Sequence, residues 1–190
     1  MFLIREPSDE DAVRFVASQR DLPFTYAEVG ATNATPPPGY TIDHNRIQLG
    51  TGETTYRNAV DALTNWRHFE LGWVTITPSG VAVEVGATVA VKARAFGTWS
   101  LSALRVVYVI DEARRFGFAY GTLPDHVEKG EERFLVEWLA DDSVWYDIFA
   151  FSRPRHPLVR LSAPLARRLQ KQFARASLNR MKTLTTDDTD

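Results

Sequence analysis

Between residues 69 and 152 apolar and polar side chains alternate with a period of two, in runs rich in Val, Phe, Tyr and Trp. The alternation predicts six strands, over 69–77, 81–96 with a bulge at Gly86, 103–112, 115–123, 131–140 and 143–152. The joints at 111–114 and 141–143 are hairpin-sized and too short for parallel crossovers, so the strands form an antiparallel meander. Outside this region the period is helical. Ser8 followed by Asp9, Glu10 and Asp11 supplies a capping oxygen and acids at the positive end of a first helix. A short strand at 46–49 then turns through Gly50 and Gly52 into a second helix, with apolar face Tyr56, Ala59, Val60, Leu63 and Trp66. Beyond Pro154 and Pro157 the residues Leu158, Leu161, Leu165, Leu169, Phe173 and Ala176 recur every three or four positions. They predict a long last helix, capped by Ser162, with Arg160, Arg167, Lys171 and Arg175 on its opposite, solvated side.

These elements give an α+β fold, a curved antiparallel sheet packed against a long C-terminal helix. One domain over 1–184 is expected, with 1–45 as an N-terminal extension of helix and Pro-rich loop and 185–190 as a disordered tail. The 190-residue length and 44% hydrophobic content suit one enclosed core. No apolar run is long enough for a membrane span, and the acidic start is unlike a secretory signal, so a cytoplasmic location is expected.

Composition closes several chemistries. With no cysteine there is no thiol nucleophile, thiolate metal site or disulfide. His44, His68, His126 and His156 are scattered and form no ligand pair, so no metal and no cofactor is expected. The Gly50-Thr51-Gly52 turn imitates a phosphate loop, but Glu53 stands where a lysine would reach the phosphates. Net charge is -2, yet 148–186 carries nine Lys and Arg and no acid. Without aromatics interleaved on the same face this stripe is a poor nucleic-acid binder, and no nucleic-acid partner is expected. It is either a solvated face or a contact for an anionic partner or surface.

One acid stands apart. On strand 115–123, Phe116, Phe118 and Tyr120 share a face while Gly117, Ala119 and Gly121 share the other. On strand 131–140, Glu132 shares its face with Phe134, Val136 and Trp138, while Glu131 and Arg133 are expected to point outward into solvent. If the aromatic faces meet the last helix, Glu132 points inward and needs a cation, a hydroxyl donor or a raised pKa. Tyr120, His126, Arg94, Arg105 and Arg153 are its candidate partners.

The set Gly50, Gly52, Trp66, Gly72-Trp73, the stretch FGFAYGTLP at 116–124, GEERF at 130–134 and Ser152-Arg153-Pro154 resembles the family called domain of unknown function nineteen-ninety. The resemblance spans about 26–181 and implies an intact single domain, with no reaction attached. The order of elements is also similar to the helix-grip fold of START-like and polyketide-cyclase-like proteins, which enclose apolar ligands between sheet and helix. The extension before residue 46 is longer than such folds require and departs from that resemblance; it is expected to cover a pocket mouth or fill it. The expectation is a hollow beneath Phe118 and Trp138 that binds a small hydrophobic or lipid-like molecule. Tyr120, Glu132, Arg153, Phe118, Phe134, Trp138 and His126 are its candidate ligand-binding residues. The alternatives are an enzyme using buried Glu132 as acid and base, and a packed domain docking an anionic partner through its basic helix.

Overall fold

The computed structural model describes residues 1–155 and 163–186. Strands β1 (Phe2–Leu3), β2 (Thr41–Thr51), β3 (Val74–Thr77), β4 (Thr88–Ala95), β5 (Thr98–Glu112), β6 (Arg115–Thr122), β7 (Glu128–Trp138) and β8 (Ser143–Pro154) form one antiparallel sheet in the order β2-β8-β7-β6-β5-β4-β3, with β1 beside β5. Helices α1 (Asp9–Gln19), α2 (Gly52–Thr64) and α3 (Ala163–Thr186) complete the fold. Register irregularities at Gln48/Gly50 in β2 and Val106/Tyr108 in β5 each insert an extra residue, which bends the strand and tightens the twist. The sheet therefore curves around α2 and α3, which share a core with its inner face.

Several boundaries differ from the sequence pattern. β2 is far longer than 46–49 and pairs along β8 from Thr41 to Thr51. The apolar run beginning at Phe69 is not strand at its start: residues Arg67–Phe69 form a 3-10 turn that drives side chains into the core, and β3 begins only at Val74. The expected 81–96 strand is a loop until Thr88. α3 continues through Thr185, which is 7% exposed, to Thr186, so the tail expected from 185 is helical at its first two residues. His156, Leu158, Arg160, Leu161 and the Ser162 cap lie outside the described residues.

α3 buries Ala174, Ser177 and Met181; of the predicted stripe Phe173 packs partly buried against the core, whereas Leu165 is 41% exposed. Ala174 and Ser177 are small, so the helix settles with them against the sheet, turning the larger Leu165 away. Not all its cations face water either. Arg167 makes a two-pronged ion pair to Asp43 of β2, Arg180 pairs with Glu70 at 2.5 Å, and Lys182 donates to the carbonyls of Gln48 and Leu49.

Of the N-terminal extension, α1 and the segment around 26–32 lie on the outer face, while 41–45 belongs to β2. Phe15 and Val16 of α1 pack on Ala90, Leu101, Ala103 and Leu123. Arg105 reaches back to the carbonyls of Gln19 and Leu22 at the negative end of α1. The chain then crosses β6 at Gly121, where a Cβ would collide with the Tyr26 hydroxyl.

Candidate functional site

The alternation of β7 puts Glu132 on the inner face, and the β6–β7 register sets Tyr120 directly opposite. The Tyr120 hydroxyl donates to Glu132 Oε2 at 2.6 Å. No cation among the described residues pairs with this carboxylate. Burial pushes the Glu132 carboxyl up to about 7; the Tyr120 hydrogen bond opposes that rise, and Asp43 and Glu128 reinforce it by repulsion. Burial beside Glu132 holds Tyr120 well above the ordinary phenol range.

Glu132 nevertheless remains partly exposed, as do Ala150 and Ser152 on the same face of β8, whereas Phe134, Tyr146 and Ile148 one row further along are sealed. At this end polar side chains join α3 to the sheet. Glu128, whose carboxyl is raised by burial, accepts from Gln170 of α3, and Gln170 also reaches Ser152 Oγ at 3.4 Å. Tyr146 and Ser177 share a hydrogen bond of 3.1 Å deeper under the helix.

The remaining predicted residues are distributed differently. Phe118 and Phe134 are fully buried walls, and the hollow expected beneath Phe118 and Trp138 is occupied: Trp66 lies 4.7 Å from Phe118, and His68 4.6 Å from Phe134, between ring centroids. Trp138 stands at the opposite end of β7, stacked on Tyr56 at 5.9 Å with its indole N–H donating to Asp142. Arg153 faces outward, its guanidinium 4.3 Å from the Tyr40 ring centre. His126 bonds the Glu128 main chain in the β6–β7 loop, and burial lowers its pKa to about 4. Arg94 sits against Trp99, and Arg105 serves α1. Of the candidate partners, only Tyr120 reaches Glu132.

Glu131, expected in solvent, is 3% exposed. It accepts from the Tyr26 hydroxyl at 2.7 Å, Gly30 N at 2.7 Å, Thr32 N at 3.0 Å and the Thr32 hydroxyl. The signal was present in β6 at Gly121, a strand glycine against which another segment packs closely. Next to it, buried Asp147 holds Arg133 at 2.9 Å and also His44. His68, passed over as an isolated histidine, is wholly buried in the inner core. Among the described residues no group of three His, Asp or Glu side chains could hold a metal ion, and no helix is long and apolar enough to cross a membrane.

The fold is that of helix-grip proteins. A norcoclaurine synthase from Thalictrum flavum, solved with dopamine and hydroxybenzaldehyde, superposes with TM-score 0.51 at 11% identity, covering 90% of this chain and 98% of the other. A hypothetical protein from Helicobacter pylori superposes with TM-score 0.58 at 11% identity, covering 86% and 96%. Sequence relatives lie much nearer. A UPF0548 protein of Dictyostelium discoideum is 37% identical over 203 residues, 95% of this chain and 94% of its own length. Another from Deinococcus radiodurans is 38% identical over 188 residues, covering 92% and 94%. Residues 25–180, which hold β2–β8, α2 and the clamp on Glu131, match the model of the domain of unknown function DUF1990. The chain belongs to the DUF1990 (UPF0548) family.

Proposed function

We propose that this protein binds a small, largely apolar molecule between the inner face of its sheet and α3, admitted where Glu132, Ala150 and Ser152 reach solvent. Glu132 and Tyr120 bind its polar end. The observation that carries the reading is Glu132 itself, a carboxylate drawn under a helix with, among the described residues, a single hydroxyl donor and no cation. Leaving such a group inside a core costs several kcal/mol in general, so a site that completes its hydrogen bonding is the economical explanation. With its pKa near 7, Glu132 at neutral pH populates both forms. It can accept from an amine or hydroxyl, or donate to a carbonyl. The same property suits a general acid and base, so proton exchange with the bound molecule is the catalytic form of this reading. The complex of the Thalictrum flavum enzyme supports the use of this fold for small aromatic molecules.

Native mass spectrometry of the purified protein tests the proposal. A retained small molecule, lost on Tyr120→Phe combined with Glu132→Ala, is expected. A bare mass together with no fluorescence response to Nile red rejects it. Turnover of an identified ligand that survives Glu132→Gln unchanged rejects the catalytic form alone.

A second reading rests on a separate observation. Arg168, Lys171 and Arg175 have no ion pair among the described residues, although the neighbouring Arg167 is paired. They line a shallow groove of about 610 Å³ on the outer side of α3. This face fits an anionic membrane surface, with exposed Leu165 on the same helix available to the interfacial region.

A further inference from the structure

His68 lies in the aromatic core with neither ring nitrogen hydrogen bonded. The imidazole is 0% exposed and is surrounded by Trp66, Phe69, Phe118, Phe134 and Tyr146, with ring centroids 4.6–6.4 Å away. A neutral imidazole offers one donor and one acceptor, and a sealed apolar site normally excludes such a group unless both are used. The backbone, moreover, is bent to put it there. Trp66, which precedes the 3-10 turn carrying His68, is left-handed at φ 56°, a conformation that bulky L side chains rarely adopt. Strain of this kind is found where a ligand is clamped.

The position relative to Glu132 gives the anomaly a use. Glu132 and Phe134 lie two residues apart on one face of β7, about 7 Å along the strand, and the His68 ring rests against Phe134 on the core side. Phe69 and Phe173, 4.9 Å apart, both pack against Phe134. Phe173 belongs to α3 and is itself partly exposed.

We propose that His68 is the inner polar anchor of the ligand site, meeting a hydroxyl at the far end of a flat apolar molecule whose other end lies at Glu132 and Tyr120. This rests on the binding function proposed above and specifies its ligand as one with polar groups at both ends. In the free protein the rings of Phe69 and Phe173 plug the inner half of the site, and they turn aside as the ligand enters. Burial keeps the His68 pKa down at about 3, so the ring arrives neutral, with donor and acceptor both available.

Two probes separate the anchor from the recess: 2,6-dihydroxynaphthalene, which has a hydroxyl at each end, and 2-naphthol, which has one. Calorimetric titration of the full chain is expected to show the diol binding about tenfold more tightly, the gain of one additional hydrogen bond. In His68→Phe that preference falls to about one, while the melting temperature rises because two unpaired polar atoms are gone. Long-range proton–nitrogen spectra of the wild-type imidazole supply a readout independent of the variant, and both His68 nitrogens are expected to shift on saturation with the diol. Equal affinities for the two probes, with unmoved His68 nitrogens, overturn the anchor and leave binding at Glu132 intact. A buried water that stays bonded to His68 in the diol complex also overturns it. If neither naphthol binds, the anchor and the recess fall together.

Discussion

Replacing Glu132 by Gln exchanges an ionisable group for a neutral one of the same shape, which still accepts from Tyr120, and so isolates the consequence of burying the charge. The carboxyl titrates near 7 in the folded chain against 4.5 ordinarily. Folded-state protonation is favoured, so between pH 4.5 and about 7 the unfolded chain binds fewer protons than the folded one and stability falls as pH rises. At about 1.4 kcal/mol per pH unit this interval amounts to about 3 kcal/mol. The partial exposure of Glu132 makes that a ceiling. Below pH 4.5 both states carry the neutral acid, and the wild-type and Gln proteins are expected to be about equally stable. By pH 8 the Gln variant should be more stable by up to about 3 kcal/mol. Urea denaturation of both proteins at half-unit steps from pH 4.5 to 8 measures the difference, in which the titrations of Glu128 and His126 largely cancel. A difference that stays constant with pH, or one that favours the wild type at high pH, refutes a carboxyl with a raised pKa at this position.

Two further outcomes follow from the same geometry. Glu131→Ala strands the Tyr26, Gly30 and Thr32 donors inside the protein and should cost about 3–5 kcal/mol, whereas Tyr26→Phe removes one charge-assisted bond and should cost about 1.5–3 kcal/mol; similar small losses for both, with unchanged amide exchange over 24–33, would show that this segment is not clamped. Changing Arg168, Lys171 and Arg175 together to Gln should weaken cosedimentation with phosphatidylserine vesicles about 100-fold at low salt, at about 1 kcal/mol per cation, and an unchanged profile removes the membrane reading.

Period-two alternation made most of the sheet legible, and with it the inward direction of Glu132, because pleating allows no other face once the aromatic rows are assigned. The pairing with Tyr120 was legible as far as two consecutive strands joined by a short loop must place their shared ends together. The filling of the core was legible only in part: Trp66 was read on the apolar face of α2, whereas His68 and Phe69 enter through a 3-10 turn that has no period an apolar count can detect. The face turned by α3 was misread for a related reason. Helical spacing fixes a stripe, but the small residues Ala174 and Ser177, which let the helix approach, carry little hydrophobic signal. Arg153 was named as a candidate partner of Glu132 on charge alone, and its alternation with Ala150 and Ser152 in β8 puts it on the other face.

The strap from Phe24 to Asn33 lies along the back of the sheet, tied through Glu131 and through Thr25 N to Thr122 O at 3.0 Å. It braces β6 and β7 as a splint does, with strand pairing on either side and α1 alongside. Mechanical compliance is therefore confined to the helical side, where Phe173 and Gln170 belong to an element joined to the sheet largely by side chains. Under the proposed binding function, the β-layer would serve as the fixed jaw and excursions of α3 would set the rates of entry and escape for a guest.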